Sequence, residues 1–302
     1  MDITQLLDPT LLNSTFRFIT PILLAALGGL ICERVGVFNI ALEGMMLTGA
    51  FFAVAGSYYA HNAFVGVLAA MLAGAVLALL FAVLAISLRG NMIVLGIALN
   101  LLVSGATVFL LRAMFGVKGA FQDPNVIGLD KIVLGPIDGI PVLGPILSGH
   151  TWVVYASWAL VAIVYIVLFK HRLGLRMRGV GEAPEAAETL GVDVKVMRYG
   201  AILISGMLCG LAGAQLSLGQ VTLFVENMSA GRGWIAVVAV MFGQAHPIGV
   251  FLASVLFGFA DSIGFRLQGV GLPSQFTGML PYVVTLVALF ITQARRQRMA
   301  NA

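Results

Sequence analysis

Long apolar runs set the limits on what this chain can fold into. Stretches at about 16–32, 63–86, 92–112, 151–169, 199–219, 247–266 and 276–292 each come near the roughly twenty apolar residues that a helix needs to cross a bilayer. Two more, about 43–60 and 227–244, are shorter or interrupted by glycine, the pattern of a broken or re-entrant helix. The runs are continuous and lack period-two alternation, which argues against membrane strands. Charged residues make up only 10% of the chain, against roughly a quarter in a soluble domain. The expected fold is therefore all-α: a single polytopic membrane domain over 1–302, with about eight or nine transmembrane helices, some broken or re-entrant. No cleavable leader is expected, because Asp2 and Asp8 precede a run with no basic leading segment.

One segment breaks the apolar pattern. Between Phe169 and Arg198 the chain reads FKHRLGLRMRGVGEAPEAAETLGVDVKVMR, with six Lys/Arg, four Asp/Glu and one Pro. Arg295, Arg296 and Arg298 follow the last apolar run, whereas 113–150 holds only Lys118 and Lys131 against Asp123, Asp130 and Asp138. Basic residues stay with the cytoplasmic side, so 170–198 and the C-terminus are expected inside and 113–150 outside. Within 170–198 a short helix is punctuated at both ends. Pro184 suits a first helical position, where a missing N–H costs nothing, and Gly191 suits a stop after Leu190. Helical spacing puts Ala183, Ala186, Ala187 and Leu190 on one face and Glu182, Glu185 and Glu188 along another. So short a helix is marginal in water unless something docks against it. It reads as a docking element, with a plain solvated linker as the alternative.

Few polar groups interrupt the apolar runs, and each has two readings. Asn39 and Glu43 lie four apart after Gly36, so they share one face if that stretch is helical. They then either line a translocation path or cap the following helix. Asn100, midway along its run, needs a partner: a permeant ribose or base, or another helix. Gln215 and Gln220 fit the same argument at the outer end of theirs, and Asp261 and Arg266 read as an interfacial pair or a solvated helix end, not a proton relay. Gly206, Gly210 and Gly213 have the spacing of a helix-packing face. Cys32 and Cys209 in apolar context, and four scattered histidines, suggest neither a disulfide framework nor a metal or other cofactor. No G-x-x-x-x-G-K-[S/T] phosphate loop occurs, so the chain is not expected to be an enzyme, and ATP hydrolysis would belong to a partner.

GVFNIALEGMMLTGAF (36–51), GIALNLL (96–102) and GEAPEAAETLGVDVKVMRYGAILISGMLCGLAGA (181–214) resemble permease subunits of ABC importers. More narrowly, they resemble the branched-chain amino acid, simple sugar and nucleoside superfamily, on its guanosine and purine nucleoside side. The resemblance implies a multi-pass protein of the bacterial plasma membrane that moves nucleosides by alternating access. Simple sugars or branched-chain amino acids are alternatives, and an ion-coupled secondary carrier is the rival outside the family. It implies that Glu182 to Gly191 forms a coupling helix received by a cytoplasmic ABC ATPase; the polar residues Asn39, Glu43, Asn100 and Gln215, read from their own positions, are the candidates for the path. The partners implied are that ATPase, a second related permease subunit making a heterodimer, and an extracytoplasmic substrate-binding protein or lipoprotein. No nucleic-acid partner is expected.

Overall fold

The computed structural model describes residues 9–133, 135, 144, 147–268, 279, 283 and 284. Among the described residues ten α-helices carry the fold: α1 (Pro9–Glu33), α2 (Leu42–Ala60), α3 (Ala63–Ala82), α4 (Met92–Phe115), α5 (Trp152–Lys170), α6 (Arg172–Glu182), α7 (Pro184–Thr189), α8 (Val194–Ala214), α9 (Arg232–Phe242) and α10 (Pro247–Gln268). Two continue in wider π-helical turns, α3 over Val83–Ser87 and α8 over Gln215–Val221. The protein is thus an all-α polytopic membrane protein. Among the described residues six helices are long and apolar enough to cross a bilayer. Apart from residues 279, 283 and 284, the apolar run at 276–292 and the arginines after it lie outside the described residues.

Side chains at helix starts explain several boundaries. Asn62 accepts from the Phe64 and Val65 amides to open α3, and Asn91 does the same for Ile93 and Val94 at α4. Asp193 accepts from the Val196 amide at α8. Pro21 sits inside α1 and cannot donate to the Arg17 carbonyl four residues back. The Gln220 amide nitrogen takes that carbonyl at 2.9 Å, so a freed backbone acceptor at membrane depth is answered by a neighbouring helix.

The bundle is layered by burial. In α1 and the long α8 span, 83% of the most apolar window is buried, against 22–39% for α3, α4, α5 and α10, which form the rim. α2 is almost wholly enclosed, and the stretch expected to be broken is an uninterrupted helix of 19 residues. It can be the less apolar one because its neighbours are protein rather than lipid. Glycines allow that close approach. A Cβ on Gly206 would strike the Gly74 carbonyl of α3, one on Gly210 the Ala70 carbonyl, and one on Gly213 the Met46 carbonyl of α2. The expected packing face is therefore the seam of α8 against α2 and α3.

Two interruptions break the helical pattern at depth. Residues 34–41 are not helical, and Gly36 turns the chain with φ 74° after α1. The stretch runs inward from the basic face: Gly36 is exposed there, while Val35, Val37, Asn39, Ile40 and Ala41 are buried. The other is α9, whose 11 residues span roughly 16 Å, about half a hydrocarbon core. The bundle has one basic face, where Arg34 donates to the Ala245 carbonyl and Arg198 to the Val35 carbonyl. At the opposite face, two-residue antiparallel ladders pair Ala120–Phe121 with Phe224–Val225 and Lys131–Ile132 with His150–Thr151. There Phe115 and Phe121 stack with centroids 4.0 Å apart, and Phe51 meets Phe224 edge-on at 5.2 Å.

Candidate functional site

Polar residues that the sequence scatters over the chain converge where the two interruptions meet. Glu43, in the first turn of α2, accepts from the Gly231 amide at 2.8 Å and the Gly233 amide at 2.6 Å. Those amides open α9, whose first N–H groups have no helical carbonyl of their own. A carboxylate there meets both the free donors and the positive end of the helix dipole. Glu43 therefore caps a helix, but one 188 residues downstream. Gly233 is forced by the same contact, since a Cβ there would overlap Glu43 itself.

Asn39 does not share a helix face with Glu43, because it precedes α2 in non-helical chain. Its Oδ1 accepts from the Ala41 amide at 3.0 Å, and its amide nitrogen donates to the Ser205 hydroxyl of α8 at 3.2 Å. Asn100 holds the same junction from α4, accepting from the Gly44 amide at 2.8 Å and donating to the Ile40 carbonyl at 3.0 Å. Gln215 is buried, accepts from the Thr151 hydroxyl at 2.8 Å, and leaves its amide nitrogen without a partner. Beside this cluster, Asp261 of α10 pairs with Arg232 at the start of α9, 3.1 Å apart. The partner is thus Arg232, in place of the Arg266 expected from sequence. The contact is that of an ion pair, without the alignment of a hydrogen bond.

The basic face carries a second constellation. α6 follows α5 directly, and Gly174, Met177 and Val180, three residues apart, turn inward. The segment expected to lie in water around one helix thus contains a second, packed helix. α7 starts at Pro184, and Gly191 at φ 77° ends its turn, with the Val192 amide donating to the Ala187 carbonyl. Ala183, Ala186, Glu182, Glu185 and Glu188 are exposed, and Leu190 is 83% exposed. Ala187 departs from the expected face: it is buried at the base of the helix. α6 and α7 enclose an open apolar groove of about 440 Å³, walled by Leu175, Ala186 and Leu190. Next to it, the Arg34 and Arg178 guanidinium groups lie 5.3 and 5.1 Å from the Phe169 ring centroid. Burial first, then the Arg178 charge, lowers the pKa of Arg34, while Glu182 and Glu33 oppose the shift.

What these features define is a helical membrane permease. Its spans are sealed by glycine contacts, it has a half-helix capped at membrane depth, and it carries a small helical hook on its basic face. The chain belongs to the family of permease components of branched-chain amino acid transport systems, whose model matches residues 11–289. It is 38% identical to the guanosine ABC transporter permease protein NupQ of Bacillus subtilis, over 96% of this chain and 93% of that one. It is also 38% identical to the nucleoside ABC transporter permease protein NupC of Lactococcus lactis, over 91% and 90%. A metal-chelate type ABC transporter solved in an inward-facing conformation shares the fold, with TM-score 0.55 at 13% identity over 92% of this chain and 85% of that one.

Proposed function

We propose that this permease forms the translocation path of an ATP-driven importer for nucleosides in the bacterial plasma membrane. In this reading an ABC ATPase grips Glu182 to Gly191, a second related permease completes the path as a heterodimer, and an extracytoplasmic binding protein delivers the substrate. The basic face and the C-terminus are cytoplasmic. Among the described residues, the six spans together with α2 and α9 would form the membrane domain. The nucleoside assignment is supported by the named relatives. The ATP-driven assignment is carried by one observation: an apolar groove edged by Leu190 stands open on a charged, water-facing surface.

The intramembrane charges support the same reading. Ion-coupled carriers need titratable groups free to exchange protons or ions at depth. Glu43 is occupied by two backbone amides and Asp261 by Arg232. Asn39, Asn100 and Gln215 fit best as residues that hold the path's walls together, because their bonds run to protein partners. Ala187→Arg would unseat α7 from its base, so the informative probe is Ala186→Arg on the exposed side. That variant should stay in the membrane at normal level and lose both ATPase copurification and nucleoside uptake. Undiminished uptake would remove the docking assignment.

A further inference from the structure

The face opposite α6 and α7 holds a groove of about 380 Å³ between α1, the π-helical end of α8 and α10. Its volume lies in the range of roughly 300–1,000 Å³ usual for small-molecule sites. Phe18 and Phe265 form an aromatic wall, with ring centroids 5.5 Å apart and Phe265 mostly exposed. Ser14, Arg17, Gln220 and Arg232 supply the polar side chains of the lining. Arg17 lies six residues, roughly 9 Å along the helix, from the start of the span at Leu11, and Arg232 is the first residue of α9. Charged groups within a span face protein or water, not lipid. An open groove lined by them therefore belongs to an aqueous path or to a bound partner.

Two guanidinium groups make the groove rich in hydrogen-bond donors. A guanidinium offers five N–H groups. Arg17 places one of its own, at 3.5 Å, on the Gln220 carbonyl. Arg232 reaches the Met228 and Ser229 carbonyls only at 3.4 and 3.5 Å, and its Nε is buried without a partner. Asp261 offsets the charge of Arg232 and leaves that of Arg17. The π-helical turns at Gln215–Val221 bring Leu216 and Gln220 to this wall, and such turns recur at functional positions. Surplus donors beside aromatic faces suit a flat heterocycle rich in acceptors. Arginine meets the O6 and N7 acceptors of guanine in a paired geometry.

We propose that this groove is the permease's own recognition site for the purine base of a nucleoside. The base lies against Phe265, and Arg17 donates to its O6/N7 edge. The proposal rests on the importer reading and deepens it. The test uses the complete transporter, with ATPase, partner permease and binding protein, in proteoliposomes. Uptake of guanosine is compared with that of 7-deazaguanosine, which lacks the N7 acceptor. The binding protein is common to all samples, so a change in the guanosine preference between variants reports the permease. Arg17→Gln is expected to lower that preference about tenfold, and Phe265→Ala to weaken uptake of both nucleosides together, with subunit assembly intact. An unchanged preference in Arg17→Gln would overturn the proposal, as would loss of subunit assembly, which would mark the groove as a partner interface. Failure of the wild-type complex to take up any nucleoside with ATP would instead strike the importer reading itself.

Discussion

Replacing Glu43 with alanine removes the acceptor of two backbone amides, those of Gly231 and Gly233, at 2.8 and 2.6 Å. A buried donor left unpaired costs about 1–3 kcal/mol, and a charge lost from a helix N-terminus up to about 2 kcal/mol. Side-chain hydrogen bonds between membrane helices average only about 0.6 kcal/mol, because the unfolded chain in the bilayer finds substitutes. That discount is smaller here, since the first amides of α9 have no helical carbonyl to fall back on. The expected cost is about 3–5 kcal/mol for Glu43→Ala. It falls to about 1–2 kcal/mol for Glu43→Gln, which keeps one acceptor oxygen in place. Cys32 and Cys209 are fully buried free thiols, so a thiol-reactive dye reports unfolding of the purified permease directly. Dye labelling on heating should begin earliest in Glu43→Ala, later in Glu43→Gln and last in the wild type. An alanine variant that unfolds with the wild type would refute the capping argument.

Other outcomes follow from the same contacts. Gly213→Val would drive a side chain into the α2 backbone at Met46 and Ala50, and should cost about 3 kcal/mol or more, read as sharply reduced yield of folded protein. Asn100→Leu strands the Gly44 amide and the Ile40 carbonyl, and should lower stability by about 1–2 kcal/mol in the same dye assay. Gln220→Leu exposes the carbonyl that Pro21 leaves unpaired, and should lower stability by about 1 kcal/mol, while Gln220→Asn should also fail to reach it. Leu190→Asp should weaken ATPase copurification without changing the unfolding temperature, because that side chain touches little of its own protein.

Hydropathy carries the rim of this protein well and its centre poorly. Well under half of α3, α4, α5 and α10 is buried within the bundle, so their sequences stay continuously apolar and their limits fall within a few residues of the expected ones. α2 is enclosed by protein and can hold Glu43, Thr48, Ser57 and several glycines, so its sequence looks broken where the helix is whole. α6 was obscured by three basic side chains and three glycines, although Gly174, Met177 and Val180 recur every third residue as a readable inward face. The punctuation of α7 was legible because Pro184 and Gly191 act locally. The inward turn of Ala187 was not, since it depends on what α7 rests against. The partners of Glu43, Asn39 and Asp261 were hidden for the same reason: they lie 188, 166 and 29 residues away, and no local pattern encodes them.

Under the proposed function, this permease should move solute only when a nucleotide-hydrolysing partner works on α6 and α7. The direct measurement is guanosine accumulation in proteoliposomes containing the permease pair and binding protein, with and without the ATPase and ATP. Accumulation against a gradient is predicted only when both are present, and an imposed proton or sodium gradient should not replace them. Uphill accumulation driven by such a gradient, with no ATPase in the vesicles, would contradict the account.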